Sequence, residues 1–295
     1  FFENNGTLTL SLTDAPIEND SVTGVWITVT GIEYHTPDGD WQTFDDYMST
    51  GAINLMALNS GLVEALGTDM PLPAGRYTQI RLLLDNDEQK AGPPSSPGCY
   101  LSFDLDGDPL TEDIIEPLFV PSGDTSGYKA TGSFTVPING SVAITADFDL
   151  RKAVVETGNH YILKPTIRLI VDGEAGWITG AVVSADIPAG AANIVIYAYV
   201  DGAWTDSEAL DPVVDTDSRF PNAITSSAVA DTDAEHPEDW YKLAFLDGGT
   251  YDLAVATYDA DGGFIEIWGF YNDAEVIAAK GSAVELSNTT LVLVL

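Results

Sequence analysis

Basic side chains are scarce in this chain. Across 295 residues, 11 lysines and arginines face 46 aspartates and glutamates, for a formal charge of −35. A surface of that sign repels polyanions, which excludes nucleic acid and anionic membrane surfaces as partners. The imbalance is spread evenly: residues 1–172 hold 25 acids and 8 bases, net −17, and residues 173–295 hold 21 and 3, net −18. No acidic tail accounts for it. Charge of one sign over whole domains suits salty or divalent-rich surroundings, where self-repulsion is screened at short range.

Cysteine is nearly absent too. A single Cys99 excludes an internal disulfide, so core packing or bound ions must supply the stability. The three histidines, His35, His160 and His236, lie far apart in sequence without His-Glu-x-x-His spacing, and each is read as a packing residue. No Gly-x-Ser-x-Gly elbow or phosphate loop is present. The acids offer so many candidate pairs that a glycosidase-type carboxylate pair has no signature of its own. The chain is therefore expected not to be an enzyme. It also lacks any apolar run of about 18 residues, so no transmembrane segment is expected. Helical signals reduce to Ser60–Gly67, a turn or two begun by Ser60 and stopped by Gly67.

What the chain has is alternation. Hydrophobic residues make up 45% of it, enough to exclude a mostly disordered protein. Thr7 to Thr13 alternates strictly, with Leu8, Leu10 and Leu12 on one face and hydroxyls on the other, as in a half-buried strand. Similar runs cover Val22 to Tyr34, Tyr77 to Leu84, Thr131 to Val136, Val142 to Leu150 and Tyr161 to Val171. Asn139-Gly140 between two of them is a hairpin signal. After Asp172-Gly173 the pattern restarts with Trp177 to Val183, Ile194 to Val200, Trp240 to Leu246, Tyr251 to Tyr258, Phe264 to Phe270 and Thr289 to Leu295. A long acidic loop is expected at about 201–239. Both halves carry Leu-x-x-Gly-x-Tyr, at Leu72 to Tyr77 and Leu246 to Tyr251, each before a long strand. This is the look of a tyrosine corner, in which the Tyr hydroxyl returns to the backbone of the preceding crossover and the Gly allows a tight approach. The fold class read from these features is all-β: two Greek-key β-sandwich domains in tandem with little helix, at 1–172 and 173–295.

Four blocks in order carry a family resemblance: Gly6 to Pro16, Leu72 to Arg81, Asp147-Phe148-Asp149-Leu150-Arg151-Lys152, and Leu163-Lys164-Pro165-Thr166-Ile167-Arg168. Over about residues 6–171 the chain resembles the DUF4382 family of bacteria and archaea. The resemblance implies a secreted or lipid-anchored surface protein and brings no catalytic residues. Phe1 stands where a lipoprotein's mature N-terminus would have its lipid-attachment Cys. The opening Phe1 to Gly6, without initiator Met, is read as the mature end of an exported chain, with a cloning boundary as the alternative. Trp177 to Val183, Ile194 to Tyr199 and Gly249 to Val255 resemble a transthyretin-like or carboxypeptidase-regulatory-like sandwich, a module type that implies a spacer or interaction role.

Four features carry candidate chemistry. Asp104, Asp106 and Asp108 around Gly107, with Glu112 and Asp113, place hard oxygens at alternate positions, a pattern suited to calcium as cofactor and unlike an EF-hand in its glycine position. An acidic hairpin turn is the plainer reading. Asp85 to Glu88, Asp215 to Asp217 and Asp259 to Asp261 are weaker versions. Arg151, Lys152, Lys164 and Arg168 gather four cations within eighteen residues, either to dock an acidic ligand or another copy, or to neutralise nearby acids. Trp204, in a polar turn, is the candidate platform for a surface glycan. The terminal run Leu291, Val292, Leu293, Val294 and Leu295 has no charge or proline to blunt an edge. It is either the closing strand of its own sandwich or, like the N-terminal strand, the means of pairing with another copy into a homo-oligomer or filament. The function expected is an extracellular or cell-surface structural or adhesive protein. The alternatives are a calcium-assisted carbohydrate-binding protein and a carboxylate-dependent hydrolase.

The calcium reading has a direct test. An ion that binds only the folded state at a hundredfold excess over its Kd adds about 2.7 kcal/mol. Millimolar calcium should raise the Tm, a chelator should reverse the rise, and Asn at positions 104, 106 and 108 together should abolish it. An unchanged Tm would remove calcium from the account.

Overall fold

The computed structural model describes residues 4–15, 22–36, 39–85, 98–103, 114–121, 126–158, 160–164, 166–211, 219–230, 235–236, 239–260 and 262–293. The protein is all-β and sandwich-like, and its contacts divide it into two compact units on either side of Asp172 and Gly173. No helix among the described residues is long and apolar enough to cross a membrane.

The first unit contains β1 (Asn5–Ala15), β2 (Val22–His35), β3 (Trp41–Thr43), β4 (Ala52–Asn54), β5 (Glu64–Pro73), β6 (Gly75–Leu84), β7 (Tyr100–Phe103), β8 (Ile114–Phe119), β9 (Tyr128–Val136), β10 (Ser141–Asp149), β11 (Val154–Thr157), β12 (His160–Leu163) and β13 (Ile167–Val171), with an α-helical turn, α1 (Leu150–Ala153), and a 3₁₀ turn at Leu55–Leu58. The strands run β11-β12-β8-β7-β2-β6-β9-β13-β10-β1-β5, with β3 and β4 attached to β2. β2 is long enough to serve two ladders: Val22 to Trp26 pairs with β7, and Val29 to Tyr34 with β6. Leu8, Leu10 and Leu12 point into the core without exposure, beside Ile27, Ile32, Leu82 and Phe148.

β1 is more than a half-buried strand. It runs parallel to β10 over Thr7↔Ser141 to Ala15↔Asp149 and antiparallel to β5 on its other edge. Both edges are therefore taken within the unit, which overturns the expectation that Thr7 to Thr13 is available to a second copy. Its hydroxyl face is partly covered as well: Ser11 and Thr13 are buried, and Thr13 Oγ1 donates to the carbonyls of Leu58 and Leu62.

Several local signals were resolved differently by distant partners. The turn expected at Asn139-Gly140 forms one residue earlier, over Pro137–Gly140, with Gly140 N–H donating to Pro137 O at 3.3 Å and Asn139 at φ 53°, and the strands it joins do not pair, because β13 lies between β9 and β10. The turn instead meets the start of β1, Asn139 N–H donating to Asn5 O and Thr7 N–H to Gly140 O, both at 2.9 Å. Gly6 is needed at this crossing, since any Cβ would run into the carbonyl oxygens of Pro137 and Gly140. Ser60–Gly67 is not helical. Ser60 and Gly61 adopt left-handed φ values of 55° and 82°, which no right-handed helix tolerates in succession, and β5 starts at Glu64. The helical turn lies just before, a 3₁₀ segment at Leu55–Leu58 whose Asn54 side chain caps Met56 N–H. Tyr161 to Val171 is two strands, not one, broken where Thr166 N–H turns back to Lys164 O at 2.9 Å. Pro165, at that break in the sequence, has no N–H for a ladder.

The second unit contains β14 (Gly176–Ala181), β15 (Asn193–Val200), β16 (Thr225–Ala228), β17 (Trp240–Leu246), β18 (Gly249–Tyr258), β19 (Phe264–Val276), β20 (Gly281–Ala283) and β21 (Val292–Leu293). They form a sheet β17-β14-β20 and a sheet β16-β15-β18-β19-β21. One core joins the two, with Ile178 and Leu243 from the first and Ile196 and Leu253 from the second. The segment 201–239 is not simply a loop: it carries a 3₁₀ turn at Asp206–Ala209 and β16, and Phe220 within it is fully buried. The terminal strand is short among the described residues. Ser287 to Leu291 closes a turn, with Leu291 N–H on Ser287 O at 3.0 Å, and β21 pairs with β19 of its own unit through Gly269↔Leu293 and Phe270↔Val292. Val294 and Leu295 lie outside the described residues.

Both tyrosine corners are formed. Tyr77 OH donates to Pro73 O at 2.7 Å and Tyr251 OH to Asp247 O at 2.8 Å, each four residues back. Glycine is not what makes the second one possible, because a Cβ on Gly249 would meet the Tyr251 ring at an ordinary 3.9 Å. Tyr77→Phe and Tyr251→Phe should each lose about 1 kcal/mol, the net worth of one buried hydrogen bond. Urea unfolding gives the size of each loss, and hydrogen exchange should confine it to the unit that carries the substitution.

Candidate functional site

Three of the four family-resembling blocks meet in space. β1, β10 and β13 are neighbours, and their registers place Thr13 opposite Asp147 and Asp147 opposite Arg168. Asp14 follows Thr13 and is buried, its Oδ1 accepting from Leu150 N–H at 3.3 Å. α1 then folds the next cations back onto the end of β10. Arg151 grips Asp149 through two bonds, Nε to Oδ1 at 2.8 Å and a terminal guanidinium nitrogen to Oδ2 at 2.9 Å. Lys152 Nζ stands 2.9 Å from the same Oδ2. Arg168 donates through Nε to Asp147 Oδ2 at 2.7 Å.

This placement decides between the two readings of the cationic strip. Arg151, Lys152 and Arg168 neutralise local carboxylates, and the Arg151 side chain is only 1% exposed, so they are not a strip held out to a partner. Lys164 is exposed, its N–H on Ala153 O at 2.6 Å. Sequence reasoning singled out these cations and missed their partners Asp147 and Asp149 and the neighbouring Asp14. Their signal was their place in the same blocks.

The three carboxylates are shifted in different directions. Burial raises Asp14 well above the usual carboxylate range, and neighbouring Asp147 adds to the rise, beyond what the Leu150 N–H offsets. Burial also raises Asp147, against the pull of Arg168. Burial acts the same way on Asp149, but there Arg151 and Lys152 outweigh it and hold the group below its ordinary value. The cluster is thus a buried network in which Asp149 is shifted toward its ionised form and Asp14 and Asp147 are shifted the other way. Asp14 Oδ2 has no hydrogen-bond partner among the described residues.

The remaining candidates are scattered. Asp104, Asp106, Asp108, Glu112 and Asp113 lie outside the described residues, as do Asp215, Asp217 and Asp261. Among the described residues no group of three His, Cys, Asp or Glu side chains comes together to hold a metal. Asp259 closes a turn, its Oδ1 accepting from Gly263 N–H at 2.7 Å. Cys99 is buried, which pushes its thiol up to about 12. His35 packs edge-on to Trp41, His160 lies 3.0 Å from Thr157 Oγ1, and His236 stacks on Trp240. Trp204 is not an open platform. Its ring sits against Tyr199 and Phe270 at 5.3 and 4.9 Å, in an aromatic cluster that covers the outer face of the five-stranded sheet with Phe220. Sequence reasoning also missed Glu208, buried beside this cluster, which accepts from Tyr199 OH at 3.0 Å and from Asn222 Nδ2 at 2.8 Å.

Opposite outcomes are expected for two carboxylates of the cluster. Asp149→Asn leaves Arg151 buried without its counter-charge and should destabilise by about 3 kcal/mol. Asp14→Asn removes an acid whose folded pKa is raised, and a raised acid contributes stability only below its unfolded pKa and loses it as pH rises through the folded value. The variant should therefore match the parent near pH 4 and become relatively more stable toward pH 7, as read from urea midpoints across that range. The contribution of Asp149 has the reverse sign, being present above its unfolded pKa and lost as pH falls below it.

Comparisons with known proteins complete the picture. No curated protein matches the chain. Solved structures it is similar to include the Bacillus anthracis TIE protein, at 10% identity and a TM-score of 0.17 over 95% of this chain and 33% of that one. The chain thus spans about a third of that protein's length. They also include the minor pilin GBS52 of Streptococcus agalactiae, at 11% identity and a TM-score of 0.20 over 95% of each chain, and a fimbrial protein of Bacteroides ovatus, at 10% and 0.18 over 97% of this chain and 49% of that one. Scores this low carry no argument. The family description that matches is a domain of unknown function, DUF4382, over residues 5–165. That stretch covers more than half of the chain and contains Asp14, Asp147, Asp149 and Arg151, so the chain belongs to the DUF4382 family.

Proposed function

We propose that this is a non-catalytic structural or adhesive protein of the cell surface or extracellular space. The observation that carries the reading is the fate of the polar residues in the family blocks. Asp14, Asp147, Asp149 and Arg151 are buried or nearly so, with Asp149 bonded to Arg151, Asp147 to Arg168 and Asp14 to backbone, whereas a catalytic group must reach its substrate. Such a cluster sets strand register, as buried polar pairs do elsewhere. The second unit, two sheets around one core, fits the transthyretin-like spacer or interaction module that its strands resemble. The strong acidity suits export into a salt-rich setting.

Assembly of copies belongs to the same proposal. β21 ends the five-stranded sheet, with Val292 60% exposed. A second copy adding a strand there would continue the sheet, and a heterologous contact of this kind propagates unless its rotation closes a ring.

The test is display on a non-adherent host cell. Retention on protein- or glycan-coated surfaces should rise several-fold over an unrelated sandwich of similar charge, without turnover of polysaccharide or peptide panels. Val292→Lys should stop any concentration-dependent assembly seen by light scattering in high salt and leave the fold intact. Turnover that disappears when two carboxylates are replaced would overturn the non-catalytic reading. Retention no better than the control would overturn the adhesive one.

A further inference from the structure

The first unit has a cleft of about 450 Å³ between the β3–β4 connection and β5, a volume in the range of real ligand pockets. Tyr34, Phe44 and Tyr47 supply its aromatic surface. The rings are held in place: Tyr34 and Phe44 pack with centroids 4.9 Å apart, and Tyr47 OH donates to Val29 O at 3.3 Å. Asp45 and Asp46 stand on the same side and Asp69 on the β5 side. Asp69 is fixed by two threonines of β1, its Oδ1 accepting from Thr7 Oγ1 at 3.5 Å and its N–H donating to Thr9 Oγ1 at 3.4 Å. Among the described residues no lysine or arginine lines the cleft. The negative field is felt inside it, because Asp45 adds to the effect of burial in raising the Tyr34 phenol. Met48, 83% exposed, stands at the same cleft with Met70 and gives it an adaptable apolar surface.

We propose that this cleft binds a basic side chain, lysine or arginine, presented by a partner protein. Charge complementarity selects the occupant. Three carboxylates without a base repel an anion, and a neutral ligand leaves their field unanswered. A lysine or arginine answers both halves of the lining, its methylene stem lying on the aromatic and methionine surface and its charged head between the carboxylates, with the ring faces adding cation–π attraction. The −35 charge of the whole chain steers such a partner inward. A second copy is a poor occupant, since it brings only 11 bases and three of them are bound in the charge cluster. The site goes beyond the adhesive reading and stands or falls without it.

The test uses the full chain and a capped lysine–alanine peptide, with the same peptide acetylated on its lysines and a neutral oligosaccharide as comparisons, followed by calorimetry at low and moderate salt. The lysine peptide should bind saturably and the acetylated peptide should not. Asp45→Asn with Asp46→Asn should weaken binding by about tenfold or more. Thr68→Trp, an exposed β5 residue on the cleft, should fill the space and do the same without removing charge. Asp201→Asn with Asp206→Asn, which removes equal charge at exposed positions of the other unit, should change the affinity by about twofold at most. Equal losses in the two charge-matched variants, an unaffected Thr68→Trp, or binding of the oligosaccharide in place of the lysine peptide would overturn the proposal. So would the absence of saturable binding.

Discussion

The parallel pairing of β1 with β10 is the constraint on which the first unit depends. It joins residues more than 130 positions apart, Thr7 with Ser141 through Ala15 with Asp149, so a large loop-closure cost falls on one ladder. Several features follow from it. The Asn139-Gly140 turn is free to receive Asn5 and Thr7 because β10 does not fold back on β9. Leu8, Leu10 and Leu12 reach the centre of the core because β1 is an inner strand. The same pairing brings Thr13 and Asp14 beside Asp147 and Asp149, which creates the charge cluster.

That cluster uses scarce material. The first unit has few bases, and three of them, Arg151, Lys152 and Arg168, face Asp147 and Asp149. In stability such pairs gain little over a well-packed apolar core, because desolvation consumes most of the Coulomb energy. Their effect lies in register. A one-residue slip of β13 against β10 would carry Arg168 away from Asp147 and leave that buried carboxylate without its partner, at a cost far above that of losing an apolar contact. Asp14, raised by burial and by Asp147, is the member that the available cations do not neutralise. The chain as a whole carries a formal charge of −35, and the cleft beside β5, with Asp45, Asp46 and Asp69, shares that sign.

The second unit solves a different problem. β15 is buried on both faces, Ile194 and Ile196 toward the other sheet and Tyr197 and Tyr199 toward the segment that follows. An antiparallel sheet normally leaves one face to water. Here Trp204 and Phe220 cover that face, and Glu208 ties the cover to Tyr199 and Asn222. A stretch of sequence that reads as an acidic loop thus contributes to a core, and its charged residue does so by accepting hydrogen bonds from its neighbours.

The sequence by itself determined the local conformations. Period-two alternation identified most of the strands, including Asn193–Val200 and Gly249–Tyr258, because side-chain period is a property of a strand whatever its partner. The tyrosine corners were legible for the same reason, the hydroxyl of Tyr77 or Tyr251 reaching a carbonyl only four residues back. Even Asn139-Gly140 lies in a turn, though one centred on Ile138 and Asn139. Only the tertiary structure decided who pairs with whom. It placed β13 between the strands that the turn joins, turned Ser60–Gly67 into a bend and a strand, set Arg151 and Arg168 on buried carboxylates, and packed Trp204 into an aromatic cluster. Each of these outcomes rests on contacts between residues distant in the chain, whose energies depend on burial and on the competing partners present. A local pattern carries no record of either.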